Sequence, residues 1–393
     1  METTQAQPVA RRADRQRVQA IDVVRGLVMV VMALDHTRDF WGGSPIQPED
    51  LAHTSGLLFF TRWVTHFCAP TFVLLSGMSV FLYAQRQPSR LAVSGYLLSR
   101  GLWLVALEVL LLTFILNWSY QPVLLLVIWA IGSGMVLLAG LQWLPRPVLA
   151  ALAVGIIAGH NLLPPIQPVT SANLGWALLH NPPFVVPVGG HLVLVAYSVG
   201  PWLGVLLAGY VLGPWLLLPL PARNRRLRWL GAVLLTLFGL LRLANFYGDP
   251  ELWTTQLRGS FYTALSFLNV AKSPPSLLFL CVTLGVALLL LSGAESLRSR
   301  LAQWLRTYGQ VPLFYYLLHF TLLSSSTWLF TRLTLGQPVN LGLTPSAQWP
   351  AAFHPSLLRV YVVWTLLVLV LYWPCRWYQR YKQTHHYWWL AYL

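Results

Sequence analysis

The sequence predicts an all-α integral membrane protein, a bundle of about ten transmembrane helices with both termini cytoplasmic. Three observations carry that prediction. The 393 residues are 56% hydrophobic and only 9% charged, against about 25% charged in ordinary soluble domains. Apolar runs recur from residue 20 to residue 375, which leaves no stretch for a separate soluble domain. The basic residues behind the net charge of +15 fall in short connections that alternate with connections nearly free of them, as the positive-inside rule requires.

About 20 residues of helix cross the hydrocarbon, and that length divides the chain into ten candidate spans. The first, near 21 to 41, follows the basic tail "RRADRQR". It resembles a signal peptide, but the charged cluster at 35 to 39 and the lack of a small-residue cleavage site make it a retained helix. The second, near 57 to 84, returns to "QRQPSR"; the third, near 93 to 116, crosses to "NWSYQP"; the fourth, near 121 to 142, comes back to "LPRP". The fifth, near 146 to 163, opens into a long loop rich in Pro and Asn, the expected place for a partly ordered cover. The sixth, near 192 to 217, ends at "PARNRRLR", and the seventh, near 228 to 247, at the acidic "YGDPELWTTQLRG". The eighth, near 274 to 293, starts at a Pro-Pro and ends at "ESLRSRLAQWLR". The ninth, near 310 to 331, leads to "LGQPVNLGLTPSAQWPAAFHP", and the tenth, near 357 to 377, to "CRWYQRYK". A miscounted helix would scramble this alternation. The chain thus divides into a basic tail (1–19), a transmembrane domain (20–380) and an aromatic interfacial tail (381–393).

Composition also excludes functions. The positive charge is accounted for by topology, so a nucleic-acid partner is not indicated. Cys68, Cys281 and Cys375 are isolated thiols without CxxC pairing and read as structural. There is no P-loop, GxGxxG, GxSxG or HExxH, and no metal is assigned to the adjacent His385 and His386.

Charged groups deep in a bilayer cost at least ~2.5–3.5 kcal/mol each, so each asks for a function or a partner. In the first span Asp22, Arg25, Met29, Met32, His36 and Asp39 recur every three or four residues and share one face. The plain alternative is that Asp22 with Arg25, and Asp35 with Arg38, anchor the two interfaces. By helical rise His36 lies roughly 16 Å beyond Arg25; His66 of the second span and His319 of the ninth reach a similar depth. A lone membrane histidine is ordinarily a helix-to-helix hydrogen bond, but three at one level beside Asp35 and Asp39 suggest acid–base chemistry. Glu108, the deepest carboxylate, needs a partner, and Arg25 lies at a comparable depth. Arg242, Asn269 and Lys272 fall near the outer ends of their spans, where Lys272 either snorkels to the interface or contacts a substrate.

Six stretches, "RVQAIDVVRGLVMVVMALDHTRDF", "RWVTHFCAPTFVLLSGMSVFL", "RGLWLVALEV", "PWLGVLLAGYVLG", "FLNVAKSPPSLLFLCVTLG" and "GQVPLFYYLLHF", together resemble the bacterial branch of the heparan-α-glucosaminide N-acetyltransferase-like family of transmembrane acyltransferases. They span residues 17 to 320 in the family's order. The resemblance implies a multi-pass protein of the bacterial plasma (inner) membrane that moves an acyl group, expected to be acetyl, from cytosolic acyl-CoA to a sugar or small acceptor outside the cytoplasm. His36 matches the histidine of the family's "LDH" motif, the expected base or acyl carrier; Asp22, Arg25, Arg62, His66, Glu108, Asn269, Lys272 and His319 match its polar positions.

Acyl transfer from a thioester needs a base or nucleophile poised near neutral pH and a stabiliser for the oxyanion. We therefore expect His36 to be oriented by Asp35 or Asp39, with His66 or His319 as second acid or base. Arg25, Arg100 and Glu108 are assigned to the donor, and Arg62, Asn269, Lys272 and Arg242 to the acceptor. The partners expected are acetyl-CoA, the acceptor and membrane lipids, with a homodimer allowed. The alternative is a transporter or flippase of a polar substrate using the same charges, against which the lack of an internal repeat weighs.

Overall fold

A computed structural model describes residues 18–170, 172–181, 183–385 and 387–391. The basic tail up to residue 17, His386 and the last two residues of the aromatic tail lie outside the described residues. In chain order the helices are α1 (Gln19–Phe40), α2 (Gly56–Ala84), α3 (Arg90–Asn117), α4 (Val127–Leu141), α5 (Arg146–Leu162), α6 (Leu174–His180), α7 (Val199–Leu217), α8 (Leu220–Ala244), α9 (Ser260–Leu268), α10 (Leu277–Ala294), α11 (Arg300–Gln310), α12 (Pro312–Leu335) and α13 (Leu357–Thr384). A helix stands at each of the ten expected positions. Six of them, α2, α3, α7, α8, α10 and α13, are long and apolar enough to cross a membrane. The chain is a multi-pass helical membrane protein. Of the other four, α4 and α5 are shorter, while α1 and α12 have the length but are more polar.

Local chemistry sets the helix ends. Ser55, Ser89, Ser276, Ser299 and Ser356 each accept a hydrogen bond from a first-turn N–H at the start of α2, α3, α10, α11 and α13. Two helices are locally irregular. Pro70 has no N–H to offer the carbonyl four residues earlier, and α2 tightens into a 3₁₀ turn at Val64–Phe67, which carries His66. Residues Leu107–Leu112 of α3 widen into a π-turn that carries Glu108.

Two expected spans begin as strand instead of helix. The fourth stretch opens with β1 (Val123–Leu125) and the sixth with β3 (His191–Val195), joined by β2 (Phe184–Val188) in a sheet of order β1-β3-β2. β1 runs parallel and β2 antiparallel to β3, with Val193 paired to Val123 on one side and Val186 on the other. The β-branched alternation of "HLVLV" favours a strand, and Gly189 and Gly190, at φ of 56° and 82°, close the hairpin. Phe184, Val186 and Val195 pack with Leu125 and Ala177 in a small apolar cluster, so the long Pro-rich loop is a folded cap.

α1 is the central post of the bundle: α2, α10, α11, α12 and α13 all pack around it. Its crossing with α11 is set by two glycines. A Cβ on Gly26 would lie 1.8 Å from the carbonyl oxygen of Leu305, and one on Gly309 would lie 1.8 Å from that of Asp22. Small residues let membrane helices approach to backbone contact. The same device joins α2 to α7 through Gly77 and Gly209.

Candidate functional site

The packing of α1 against α12 brings two of the three expected imidazoles together. His36 Nδ1 lies 2.8 Å from His319 Nε2, with the rings stacked at 5.1 Å between centroids. Phe320 stacks against His36 with ring centroids 4.3 Å apart and tilts against His319 at the same distance. His319 Nδ1 in turn lies 3.1 Å from the main-chain oxygen of Tyr315. A carbonyl can only accept, so Nδ1 of neutral His319 carries the hydrogen and its Nε2 accepts. Nδ1 of His36 therefore donates, and Nε2 of His36 keeps a free lone pair. His319 is fully buried, whereas His36 is only partly so.

His36 lines an elongated cavity between α1, α2, α3, α4 and α12. One end holds Arg25, Ser79, Tyr83, Tyr96 and Arg100; the other holds Asp35, His36, Thr65, Cys68, Tyr197 and Lys272. Along α1 the two ends are separated by roughly 16 Å. Arg25 Nη2 donates to Ser79 Oγ at 2.8 Å, which fixes its guanidinium on the cavity wall.

The carboxylates play a different part from the one the sequence suggested. His36 is held by His319 and not by Asp35 or Asp39. Arg62 Nη1 donates to Asp35 Oδ2 at 2.6 Å, and Arg38 Nη2 lies 3.0 Å from Asp35 Oδ1 and 2.8 Å from Asp39 Oδ1. Arg62 Nε also donates to Glu49 Oε1 at 3.0 Å, and His66 Nε2 is 3.8 Å from that oxygen. A chain of alternating charge thus runs Asp39–Arg38–Asp35–Arg62–Glu49 across the end of the cavity. The His66 imidazole lies beside Glu49 and does not line the cavity. Burial alone would raise the Glu49 carboxyl, but His66 and Arg62 beside it hold it down at about 2.

Lys272, in the loop between α9 and α10, lines the same end of the cavity. Burial, reinforced by the nearby Arg62 and opposed by Asp35, pushes its ammonium down to about 8.

Three other predicted residues sit in the framework. Glu108 does not meet Arg25: its two oxygens accept from the backbone N–H groups of Leu126 and Trp129, at 3.3 and 2.7 Å, and so cap the start of α4. Arg242 is fully buried and donates to four main-chain oxygens, those of Glu251, Ser266, Phe267 and Asn269. It pins the loop beyond α8 to the end of α9. Asn269 contributes its carbonyl to that knot and donates to the Glu49 carbonyl at 3.3 Å. None of the three lines the cavity.

Sequence reading overlooked the Tyr315 carbonyl, Phe320, Glu49 and Tyr197. Tyr315, Tyr316, His319 and Phe320 recur at helical spacing on one face of α12, a signal available in "FYYLLHF". Among the described residues no group of three or more His, Cys, Asp or Glu could hold a metal ion.

Two comparisons with known proteins bear on this site. Among curated proteins none matches the chain significantly. The model of the family described as "Heparan-alpha-glucosaminide N-acetyltransferase, catalytic" matches residues 17–253, more than half of the chain. That stretch includes His36, Arg62 and the arginines of the cavity, and ends before Lys272 and His319.

Proposed function

Because the chain belongs to the heparan-α-glucosaminide N-acetyltransferase catalytic family, a family of membrane acetyltransferases, we propose that its cavity carries an acetyl group from acetyl-CoA on one side of the membrane to an acceptor amine or hydroxyl on the other. The observation that carries this reading is the cavity itself, which joins a pair of arginines to a histidine with one free ring nitrogen. The donor side is the cytosol of a bacterial inner-membrane protein, an assignment supported by the basic connections flanking α1 and α3. Residues 20–380 form the catalytic domain, and the aromatic tail from 381 lies at the interface.

In this reading Arg25 and Arg100 hold the phosphates of the donor, which guanidinium groups bind bidentately. The pantetheine arm then lies along the apolar middle of the cavity, between Phe72, Ile131 and Met135. It brings the thioester to the Asp35–His36 end. Nε2 of His36 takes the proton of the acceptor amine as its nitrogen attacks the thioester carbonyl. The new C–N bond forms, the tetrahedral oxyanion faces the Lys272 ammonium, and the C–S bond breaks as the thiolate leaves and receives the proton from His36. His319, donating to the Tyr315 carbonyl, holds His36 in the tautomer this requires. The alternating charges from Asp39 to Glu49 hold the helix ends around this point, since each buried charge is compensated by a neighbour.

The test uses purified protein in proteoliposomes supplied with radiolabelled acetyl-CoA and glucosamine. Label in N-acetylglucosamine with release of CoA, abolished in His36→Ala, is the expected result. Glucosamine flux without CoA release, or His36→Ala turning over at the wild-type rate, would overturn the reading. Labelled protein recovered without acceptor would show that the acetyl group rests on the enzyme before transfer.

A further inference from the structure

Among the described residues Lys272 is the one primary amine on the cavity wall. The chain has only one other lysine, Lys382, in the last turn of α13. A short hairpin presents Lys272. Ser276 N donates to the Ala271 carbonyl at 3.0 Å, and Lys272 bridges Pro275 across the turn. The buried Asp249 carboxylate grips both stems through one oxygen: its Oδ2 accepts from Ala271 N at 2.9 Å and from Ser276 Oγ at 2.6 Å. His160 Nε2 donates to the Pro275 carbonyl at 2.9 Å and ties the turn to α5. With its backbone held on both sides, the lysine is fixed at the Asp35–His36 end of the cavity.

That end is where the mechanism above brings the thioester, and it also holds the base. Burial, with Arg62 of α2 and Asp35, Asp39 and Arg38 of α1 around it, leaves the Lys272 ammonium at about 8, so a share of it is free amine near neutral pH. A desolvated lysine that gives up its proton this readily is a nucleophile towards carbonyl carbon. The side chain therefore has two characters. Charged, it faces the oxyanion; neutral, it has the same chemistry as the acceptor amine. An acceptor in the site takes the acetyl group. With the donor loaded and no acceptor present, the amine that remains at the thioester is the enzyme's own.

We propose that Lys272 is a self-acetylation site, modified by bound acetyl-CoA when no acceptor is present, and that this modification switches the enzyme off. The inference rests on the acetyltransferase reading above. Nζ of the neutral amine attacks the thioester carbonyl while Nε2 of His36 takes one of its protons. The new C–N bond forms, the C–S bond breaks, and the CoA thiolate leaves and receives that proton from His36. The products are Nε-acetyl-lysine and CoA. An amide does not give its acyl group to an amine as a thioester does, so a later acceptor does not reverse the step. Acetylation removes the charge, and with it the group that faces the oxyanion.

Purified protein in proteoliposomes is incubated with radiolabelled acetyl-CoA, with and without glucosamine, and its peptides are read by mass spectrometry. Without glucosamine, a single acetyl group is expected on Lys272 and none on Lys382, which does not line the cavity. Residual activity, measured once the donor is removed, should fall in step with that modification. Glucosamine present from the start should prevent both, and glucosamine added afterwards should leave the label in place. Modification should rise with pH through about 8. His36→Ala should stay unmodified. Lys272→Arg, which keeps a charge but has no primary amine, should hold its own starting rate through the incubation. Label confined to His36 or Cys68, label that glucosamine discharges, equal acetylation of Lys272 and Lys382, or His36→Ala modified at the wild-type rate would each overturn the proposal. Acetylated glucosamine with Lys272 unmodified in every incubation overturns it and leaves the acetyltransferase reading standing. If neither amine is acetylated, both fall.

Discussion

The pair of stacked imidazoles gives the sharpest test of the mechanism. Replacing His319 with Phe keeps the ring in place between Tyr315 and His36 but removes the acceptor 2.8 Å from His36 Nδ1. A buried donor left without its partner costs about 1–3 kcal/mol. His36 can avoid that cost by moving its hydrogen to Nε2, the nitrogen that must act as base. If transfer depends on the tautomer, kcat falls by the fraction of His36 left in the working form. At 1.36 kcal/mol per tenfold, the penalty corresponds to a loss of about 5- to 150-fold. His319→Gln offers an amide oxygen to His36 and an amide hydrogen to the Tyr315 carbonyl, and should recover most of the loss. The assay is CoA release against acceptor concentration on protein that elutes as a single species in detergent. KM for the donor should stay constant, because Arg25 and Arg100 lie at the other end of the cavity. Wild-type kcat in His319→Phe would refute the tautomer argument. Equal losses in the Phe and Gln variants would refute it as well, since only the latter can replace both hydrogen bonds.

Other consequences follow from the same geometry. Lys272, pushed by burial down to about 8, carries its charge below that pH and loses it above; kcat should therefore fall as pH rises through about 8, and Lys272→Arg, which stays protonated, should carry activity to higher pH, as a pH–rate profile of both proteins would show. Glu108→Ala removes a fully buried carboxylate and leaves the part-buried N–H groups of Leu126 and Trp129 unpaired; at about 1–3 kcal/mol for each orphaned group it should lower the unfolding temperature while kcat per folded molecule holds, so lost turnover at unchanged stability would restore Glu108 to a role at the donor. Gly309→Val should prevent α11 from closing on α1, because the added carbon would lie 1.8 Å from the Asp22 carbonyl oxygen; normal yield of monodisperse protein would show that this crossing relaxes at little cost.

The sequence carried the site on one helix further than it carried the site between helices. The three- and four-residue spacing of Asp22, Arg25, Met29, Met32, His36 and Asp39 is a property of α1 alone, so the polar face could be read directly, as could the depth that separates Arg25 from His36. Which imidazole meets His36 depends on how neighbouring helices cross, and helical rise could not separate His66 from His319. Pro70 makes the difference: it breaks the regular turn of α2 at Val64–Phe67 and leaves His66 facing Glu49, while the unbroken first turns of α12 carry His319 to α1. Glu108 was misjudged for another reason. A search for its partner among cations overlooks the backbone, whose free N–H groups at the start of α4 satisfy a carboxylate as well as an arginine would. Arg242 repeats this with the sign reversed: four carbonyls at the end of α9 and in its flanking loops compensate the guanidinium. Where backbone can serve as the counter-charge, a buried ionisable residue marks a structural joint. Lys272 is placed differently: it lines the cavity beside Asp35 and His36, where the proposed mechanism has it face the reacting carbonyl.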